Sequence, residues 1–508
     1  MATITIDGAS YEVSEGRTIL QALDDLGLLL NGVDIPHYCW HPKLSIDGSC
    51  RMCQVEIEGL PKLQIACNTP VRDGMVIRTR TEQVRSAQRG VMELLLLNHP
   101  LDCPICDQAG ECTLQDYAFE YGAKHARTRE PRRPAKKGVA LGPGITFDQE
   151  RCILCRRCVR FCREVPGTRE LGVFERGDRS LLDTFPGRQL DNPYSMNVAD
   201  ICPVGALTVT DFRFKIRVWF LDDVESVCNQ CSKGCNIVMS RAQNRIYRYL
   251  PRRNDSVNDT WMCDEGRRSD RTIRDDRLES PRVEGRVVPF PEAVRAAADR
   301  IREARDAGER IVGVASAFAP NEDLFAFRRL LEALGAGPGV FRVPRGEADG
   351  LLVQAERAPN AAGARALGFQ ECEGALPSAS LAIVLGHAYA ESAFTGIGRR
   401  ILIDSHRSPL VGRSAVVLPS AHLAERDGTF VNCDGRVQRF RRAIQPLFEA
   451  WPEGDIVHQI AEALALEDFA SRFEVSEVSK QIAQAVPAFA GRDWLSLDDQ
   501  GAPLGSES

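Results

Sequence analysis

Sixteen of the chain's eighteen cysteines lie before residue 264, and they fall into groups. Cys39, Cys50, Cys53 and Cys67 are spaced C-x10-C-x2-C-x13-C, and His99, Cys103, Cys106 and Cys112 are spaced H-x3-C-x2-C-x5-C. Residues 151–162 read RCILCRRCVRFC and contain Cys152, Cys155, Cys158 and Cys162, with Cys202 followed by Pro203 downstream. A last group, Cys228, Cys231, Cys235 and Cys263, is spaced C-x2-C-x3-C-x27-C. Thiolates at such short intervals bind metals, and a chain with no secretory leader is expected to keep them reduced and unpaired.

The first spacing is similar to that of plant-type [2Fe-2S] ferredoxins with a longer first loop. A binuclear cluster suits loops rich in Gly, Pro and Asp, because several backbone N–H groups must turn toward its sulfurs. A structural zinc held by the same four thiolates is the alternative. In the second set a lone histidine would ordinarily be a surface or core residue. Three cysteines within the next thirteen positions leave a fourth ligand wanting, and His99 supplies it. Imidazole in place of thiolate removes one negative charge, which raises the reduction potential of a [4Fe-4S] centre.

The third group has one cysteine too many. In the pattern C-x2-C-x2-C-x3-C-P the first three cysteines hold one cubane and the fourth serves another. Cys152, Cys155 and Cys158 fit the tripod, and Cys202 before Pro203 closes it. Cys162 precedes Arg163 and has no second tripod to serve, so it is read as a non-ligand. Of the arginines at 151, 156, 157, 160 and 163, some are expected to offset the cluster's negative charge. The fourth set is read as a further cubane, with zinc as its rival. One binuclear and three cubane clusters amount to about fourteen iron atoms per chain.

Elements must hold these ligands in place. TITID and YEV, separated by a Gly-Ala-Ser turn, predict a hairpin. Thr18 caps ILQALDDLGLLL, a helix expected to end near Asn31 and Gly32. Residues 81–98 predict an amphipathic helix leading into the His99 set. From about residue 285, helical PEAVRAAADRIREARDAG alternates with apolar RIVGVAS, LAIVLG and RILIDS, the pattern of an α/β domain. The basic stretch 124–137 has the composition of an exposed linker. LGAGPGV at 334–340 is expected to be a helix-terminating loop.

Composition narrows the function further. A formal charge of -6 over 508 residues gives no signal for nucleic-acid binding. The start MATITIDGASYEV lacks a signal-peptide pattern, and the longest apolar runs fall short of a membrane span, so membrane contact is expected only through partners. Neither G-x-G-x-x-G after a strand nor G-x-x-x-x-G-K-[ST] occurs, so a dinucleotide would have to bind elsewhere.

Together and in this order, the four sets resemble the large iron-sulfur subunit of respiratory complex I, the proton-pumping NADH:quinone oxidoreductase. The stretch AVVLPSAHLAERDGTFVNCDGRVQ at 415–438 resembles a signature of molybdopterin-oxidoreductase domains, which that family keeps as a scaffold without the cofactor. The resemblance implies an α+β multidomain chain. A [2Fe-2S] ferredoxin-like (β-grasp) domain would span 1–80, a His-ligated [4Fe-4S] domain 81–140 and a ferredoxin-like [4Fe-4S] domain 141–220. A four-cysteine [4Fe-4S] domain would span 221–280, and a shortened molybdopterin-oxidoreductase-like α/β domain 281–508. It further implies ligands at Cys39, Cys50, Cys53 and Cys67, at His99, Cys103, Cys106 and Cys112, at Cys152, Cys155, Cys158 and Cys202, and at Cys228, Cys231, Cys235 and Cys263. No molybdopterin is expected, since Cys372 and Cys433 stand isolated.

The implied role is electron relay with no bond made or broken in a substrate here. A flavin subunit that oxidises NADH would be the donor, with other peripheral-arm subunits as partners, on the cytoplasmic side of a bacterial inner membrane. The second and third sets would carry the main route, with the first and fourth as side or stabilising centres. The fourth set points to a bacterial protein, because mitochondrial versions lack it. An electron-relay subunit of a soluble NAD-linked hydrogenase or formate dehydrogenase shares the early motifs and is the alternative.

Overall fold

The computed structural model describes residues 1–508 except 32, 34, 387, 388, 468, 470, 471 and 506–508, with the side chains of 30 and 31 also set aside. The chain divides into two compact units, Met1–Leu221 and Asp222–Ser508.

The first unit opens with β1 (Ala2–Ile6) and β2 (Ala9–Val13), an antiparallel hairpin. Its turn is Asp7-Gly8, one step earlier than the Gly-Ala-Ser turn expected from sequence. Both residues have positive φ, 47° and 93°, as a two-residue turn matched to strand twist requires. Helix α1 (Ile19–Asp25) starts in a capping box, with the Thr18 side chain accepting from the Gln21 N–H and Gln21 reaching back. The expected single helix is split, because Gly27 takes φ 68° before α2 (Leu28–Asn31) begins. Gly32, the expected helix end, lies outside the described residues.

β3 (Gln54–Ile57), β4 (Gln64–Ile65) and β5 (Val76–Arg78) complete a five-stranded sheet in the order β2-β1-β5-β3-β4. Its β1 and β5 run parallel, and α1 covers it through Ile19, Leu20 and Leu23, all fully buried. That is the β-grasp arrangement, and it leaves the connecting loops free to carry cysteines.

Helix α3 (Glu82–Leu96) is capped by Thr81 and buries Val84, Gln88 and Met92, a stripe at four-residue intervals. Helix α4 (Thr113–Glu120) starts directly after Cys112. β6 (Val139–Ala140) and β7 (Ile145–Phe147) lead to the ligand loop and then to α5 (Arg157–Glu164). A hairpin of β8 (Leu171–Phe174) and β9 (Leu181–Thr184), a turn of helix α6 (Asn197–Asp200) and β10 (Leu207–Val209) follow. Strand β10 pairs with β7, so the return to that sheet brings Cys202 back to the Cys152 loop.

The second unit begins with an antiparallel meander of β11 (Asp222–Val227), β12 (Asn236–Ala242) and β13 (Arg245–Pro251), then α7 (Asp264–Arg268). An edge hairpin, β14 (Arg282–Val283) and β15 (Arg286–Val287), precedes α8 (Phe290–Asp306), β16 (Ile311–Ser316), α9 (Asn321–Ala333) and β17 (Val340–Arg342). Then come α10 (Ala361–Ala366), β18 (Gln370–Glu371), β19 (Ala379–Leu385), β20 (Ile397–Asp404) and β21 (Val416–Pro419). The resulting sheet has the order β15-β14-β21-β20-β19-β16-β17-β18, parallel from β21 to β18. From β18 inward this is the 3-2-1-4-5-6 order of doubly wound sheets. The central strand IVGVAS is buried at every residue, as a parallel strand covered on both faces must be.

Helices α8, α9 and α11 (Glu453–Ala463) pack on one face around Ile301, Phe327, Ile383 and Ile460. On the other face Tyr389, Phe394 and Leu410 lie over Val314, Val384 and Leu402, and among the described residues the connections between β19, β20 and β21 contain short 3-10 turns and no α-helix. β22 (Gly428–Val431), β23 (Arg436–Phe440) and β24 (Ala502–Pro503) form a separate small sheet, and α12 (Val475–Ala485) packs on α9.

One buried carboxyl gives this unit a pH dependence. Glu322 at the start of α9 is 0% exposed and accepts from the Thr429 N–H at 2.9 Å and the Thr429 hydroxyl at 2.8 Å. Burial lifts its carboxyl from the ordinary 4.5 to about 7. Between those values the folded chain keeps a proton that the unfolded chain has lost, so stability falls as pH rises through that window. The loss totals on the order of 3 kcal/mol. Thermal unfolding of Glu322→Gln is expected to depend less on pH and to exceed wild type above pH 7. Equal unfolding temperatures at pH 5 and pH 8 in wild type and variant alike would contradict this.

Candidate metal centres

The first set sits on the loops at one end of the β-grasp sheet. Cys39, Cys53 and Cys67 are each 1% exposed and Cys50 is partly buried. The Cys39 N–H points at Cys50 Sγ at 3.5 Å. The sulfur of Cys39 also meets those of Cys50 and Cys67, and Cys67 meets Cys53. All four predicted residues therefore come together.

The second set lines a hollow of about 290 Å³, counted to its open mouth, with Arg151 and Gly205 on its wall. His99, Cys103, Cys106 and Cys112 all border it. Burial first, and the neighbouring Arg151 cation second, push the His99 imidazole down to about 4. It is neutral at physiological pH, the form that offers a lone pair to a metal. Cys106 and Cys112 are buried, and burial raises both thiols, Cys112 to about 11.

The third set rings a hollow of about 390 Å³, counted the same way, bordered by Cys152, Cys155, Cys158 and Cys202. Cys162 does not border it. It lies fully buried on α5, where its thiol meets the Glu170 carboxylate. The ligand loop alternates hands, with Leu154 and Arg156 at φ 54° and 58°. Such alternation turns successive N–H groups the same way and makes a nest for anionic sulfur. In the fourth set all four cysteines are buried, at 5–9% exposure. The Cys228 N–H donates to the Cys235 carbonyl at 2.8 Å, and Cys263 caps α7 by accepting from the Gly266 N–H at 3.3 Å.

A common feature runs through the four sets. The N–H two residues beyond a cysteine donates to its sulfur at Cys50, Cys106, Cys112, Cys152, Cys155, Cys202 and Cys228. These bonds stabilise thiolates and tune whatever the thiolates hold. A zinc ion would need its ligands to converge on one point at about 2.0–2.3 Å. The second and third sets instead stand around a hollow, which suits a polynuclear group.

Sequence reasoning missed what lies between the sets. Gly205, three residues beyond Cys202, packs against the Cys106 sulfur of the second set so tightly that a Cβ would overlap it. Pro203 of the same segment accepts from the Thr113 hydroxyl at 2.9 Å, just past Cys112. Arg151 donates to the Gly205 carbonyl and pairs with Asp102 and Asp148, each at 3.0 Å. On the other side Arg157 donates to the Trp40 and Ile201 carbonyls at 2.6 and 3.2 Å, and Arg160 donates to the Cys39 and Ser45 carbonyls. Buried Tyr38 meets Tyr117 edge-on at 5.4 Å, filling the space between the Cys39 loop and α4. The only signals in the sequence were the run C-P-x-G and the arginines among the cysteines. The linker at 124–137 is exposed as expected and tied down by Arg127–Glu93 and Arg133–Asp178 pairs.

Comparison with known proteins matches these regions one by one. Residues 1–82 match a 2Fe-2S iron-sulfur cluster binding domain, and 88–127 the NADH-ubiquinone oxidoreductase-G iron-sulfur binding region. Residues 142–208 match the ferredoxin-like domain of NADH-quinone oxidoreductase subunit 3, 221–270 an NDSU1/NuoG-like 4Fe-4S domain, and 401–463 molybdopterin oxidoreductase. The NADH-quinone oxidoreductase G subunit of Rickettsia conorii is 41% identical over 340 residues, 66% of this chain and 50% of that protein. The NADH-ubiquinone oxidoreductase 75 kDa subunit of Reclinomonas americana is 39% identical over 66% of this chain and 48% of that protein. A chain of a NAD+-reducing [NiFe]-hydrogenase crystal structure is 31% identical, covering 43% of this chain and 91% of that one, at a TM-score of 0.37. The chain spans about half the length of the curated relatives it matches. Among the described residues no helix is long and apolar enough to cross a membrane. With four iron–sulfur regions in this order ahead of a molybdopterin-oxidoreductase segment, the chain is a relative of the G subunits of NADH-quinone oxidoreductase.

Proposed function

We propose that this chain is an electron-relay subunit of an NADH:quinone oxidoreductase of the proton-translocating type. The observation that carries this reading is the interlocking of three ligand sets in one compact unit, with Gly205 against Cys106 and Arg160 against the Cys39 carbonyl. When bound, an iron–sulfur cluster takes up and returns one electron with little movement of its ligands.

The residues supply the rest. Cys39, Cys50, Cys53 and Cys67 would hold a [2Fe-2S] cluster. His99 with Cys103, Cys106 and Cys112, Cys152 with Cys155, Cys158 and Cys202, and Cys228 with Cys231, Cys235 and Cys263 would each hold a [4Fe-4S] cluster. Their backbone donors stabilise the thiolates, and burial keeps water from most of the sulfurs, Cys103 being exposed. Although sequence alone makes the first set a side centre, its loop is bonded to α5 of the third set, so we place it in the same relay. The five-part division at 80, 140, 220 and 280 remains our assignment of domains within the two compact units.

We assign no molybdopterin. Beside the switch point of the doubly wound sheet, where such folds bind ligands, the Tyr389 hydroxyl donates to the Ala315 carbonyl and accepts from the Arg342 N–H at 3.3 Å, so the chain's own side chain covers the carboxyl ends of β16 and β17. The partners in this reading are a flavin subunit that oxidises NADH and other subunits of the same peripheral arm, on the cytoplasmic side of a bacterial membrane.

Gentle isolation of the chain from its native cells tests the assignment. Recovery from membranes with an NADH-oxidising flavin subunit and quinone-module subunits is the expected result. Recovery in a soluble assembly with a hydrogen- or formate-oxidising subunit would overturn it.

A further inference from the structure

Two cations on the inner side of α5, Arg157 and Arg160, lack a carboxylate partner among the described residues, and Arg160 is 4% exposed. The other arginines of this stretch each have one: Arg151 with Asp102 and Asp148, Arg156 with Asp47 at 3.8 Å, and Arg163 with Glu164 at 2.5 Å. Arg157 and Arg160 donate only to carbonyls, and the Nε of each is buried with no hydrogen-bond partner.

Their positions explain what balances them. Arg157 borders the hollow of the third set and reaches Trp40, the residue after Cys39, while also holding the Ile201 carbonyl before Cys202. Burial lowers the Arg157 guanidinium, and the sulfurs of Cys155 and Cys202 on one side and Cys39 and Cys50 on the other act against that. Arg160 holds the Cys39 carbonyl itself. A buried cation without a counter-ion is costly unless a negative group faces it. The negative groups that face these two are the ligand thiolates of the two sets and whatever they bind.

We propose that Arg157 and Arg160 are a shared counter-charge for the first and third centres, holding both potentials up together. The inference rests on the reading that both sets carry clusters. Each reduction adds one negative charge beside a fixed positive one, so the arginines favour the reduced form of both centres. Arg151 borders the second set's hollow, whereas Arg157 and Arg160 do not, so the His99 centre serves as an internal reference.

The test is an EPR redox titration of the full chain in its isolated complex, as wild type, Arg157→Gln, Arg157→Lys and Arg160→Gln. In Arg157→Gln and Arg160→Gln both centres should shift to lower potential. At the wild-type midpoint their reduced-to-oxidised ratio should fall about tenfold, with the His99 centre unmoved. Arg157→Lys should restore most of the shift. Loss of clusters in Arg157→Gln but not in Arg157→Lys would also uphold a requirement for charge. Unchanged potentials, a shift in one centre only, or equal cluster loss in the Gln and Lys variants would overturn the proposal. Absence of both signals from wild type would instead defeat the cluster assignment on which it stands.

Discussion

Cys155→Ala is expected to remove the third [4Fe-4S] centre and with it nearly all electron flow through the chain, while Cys162→Ala, seven residues on, leaves every centre in place. Both cysteines belong to the run that begins at residue 151, and their environments separate them. Cys155 borders the hollow of its set with a backbone donor aimed at its sulfur. Cys162 lies away from that hollow, against Glu170. The first variant should lose about four of fourteen irons and one cubane signal. The second should keep full iron and lose at most about 1 kcal/mol of stability, as for trimming a small buried side chain. Cluster-resolved EPR with iron analysis checks both, and loss of a cubane in Cys162→Ala would reverse the ligand assignment.

Gly205→Ala is expected to damage two centres at once. Gly205 has ordinary φ, so its backbone would accept any residue, and only space demands a glycine. A methyl there would overlap Cys106 Sγ and stand 3.0 Å from Gln108 Cβ. Because Cys106 is itself a ligand, the Pro203–Ala206 segment must give way, and it carries Cys202. Overpacking of this kind costs about 1–3 kcal/mol, and a ligand displaced by even part of an ångström holds its metal poorly. Loss or distortion of the second and third centres, with the [2Fe-2S] signal retained, is the expected EPR result. Two unchanged cubane spectra would show that the segment has more room than the structure gives it.

Much of the site is legible in the cysteines because ligand spacing is local. Two residues between thiols already fix a tight loop, and the proline after Cys202 singles that residue out. The ligand sets, the helix at 82–96 and the parallel sheet follow from such short-range patterns. The hairpin turn falls one residue earlier than composition suggests because Asp7 and Gly8 supply the positive φ, and the first long helix splits at Gly27 for the same kind of reason. What sequence does not reveal is contact between sets. Gly205 and Cys106 are far apart in the chain, as are Arg160 and Cys39, and no periodicity marks such pairs. The same distance in sequence hides the position of the first set beside the third.

Quantitative iron analysis with Mössbauer spectroscopy on the intact, gently purified chain tests the central claim most directly. The account predicts about fourteen irons per chain, divided between one binuclear and three cubane centres, and no zinc. Zinc at any of the four sets, or an iron count short by a whole cluster in undamaged protein, would contradict it.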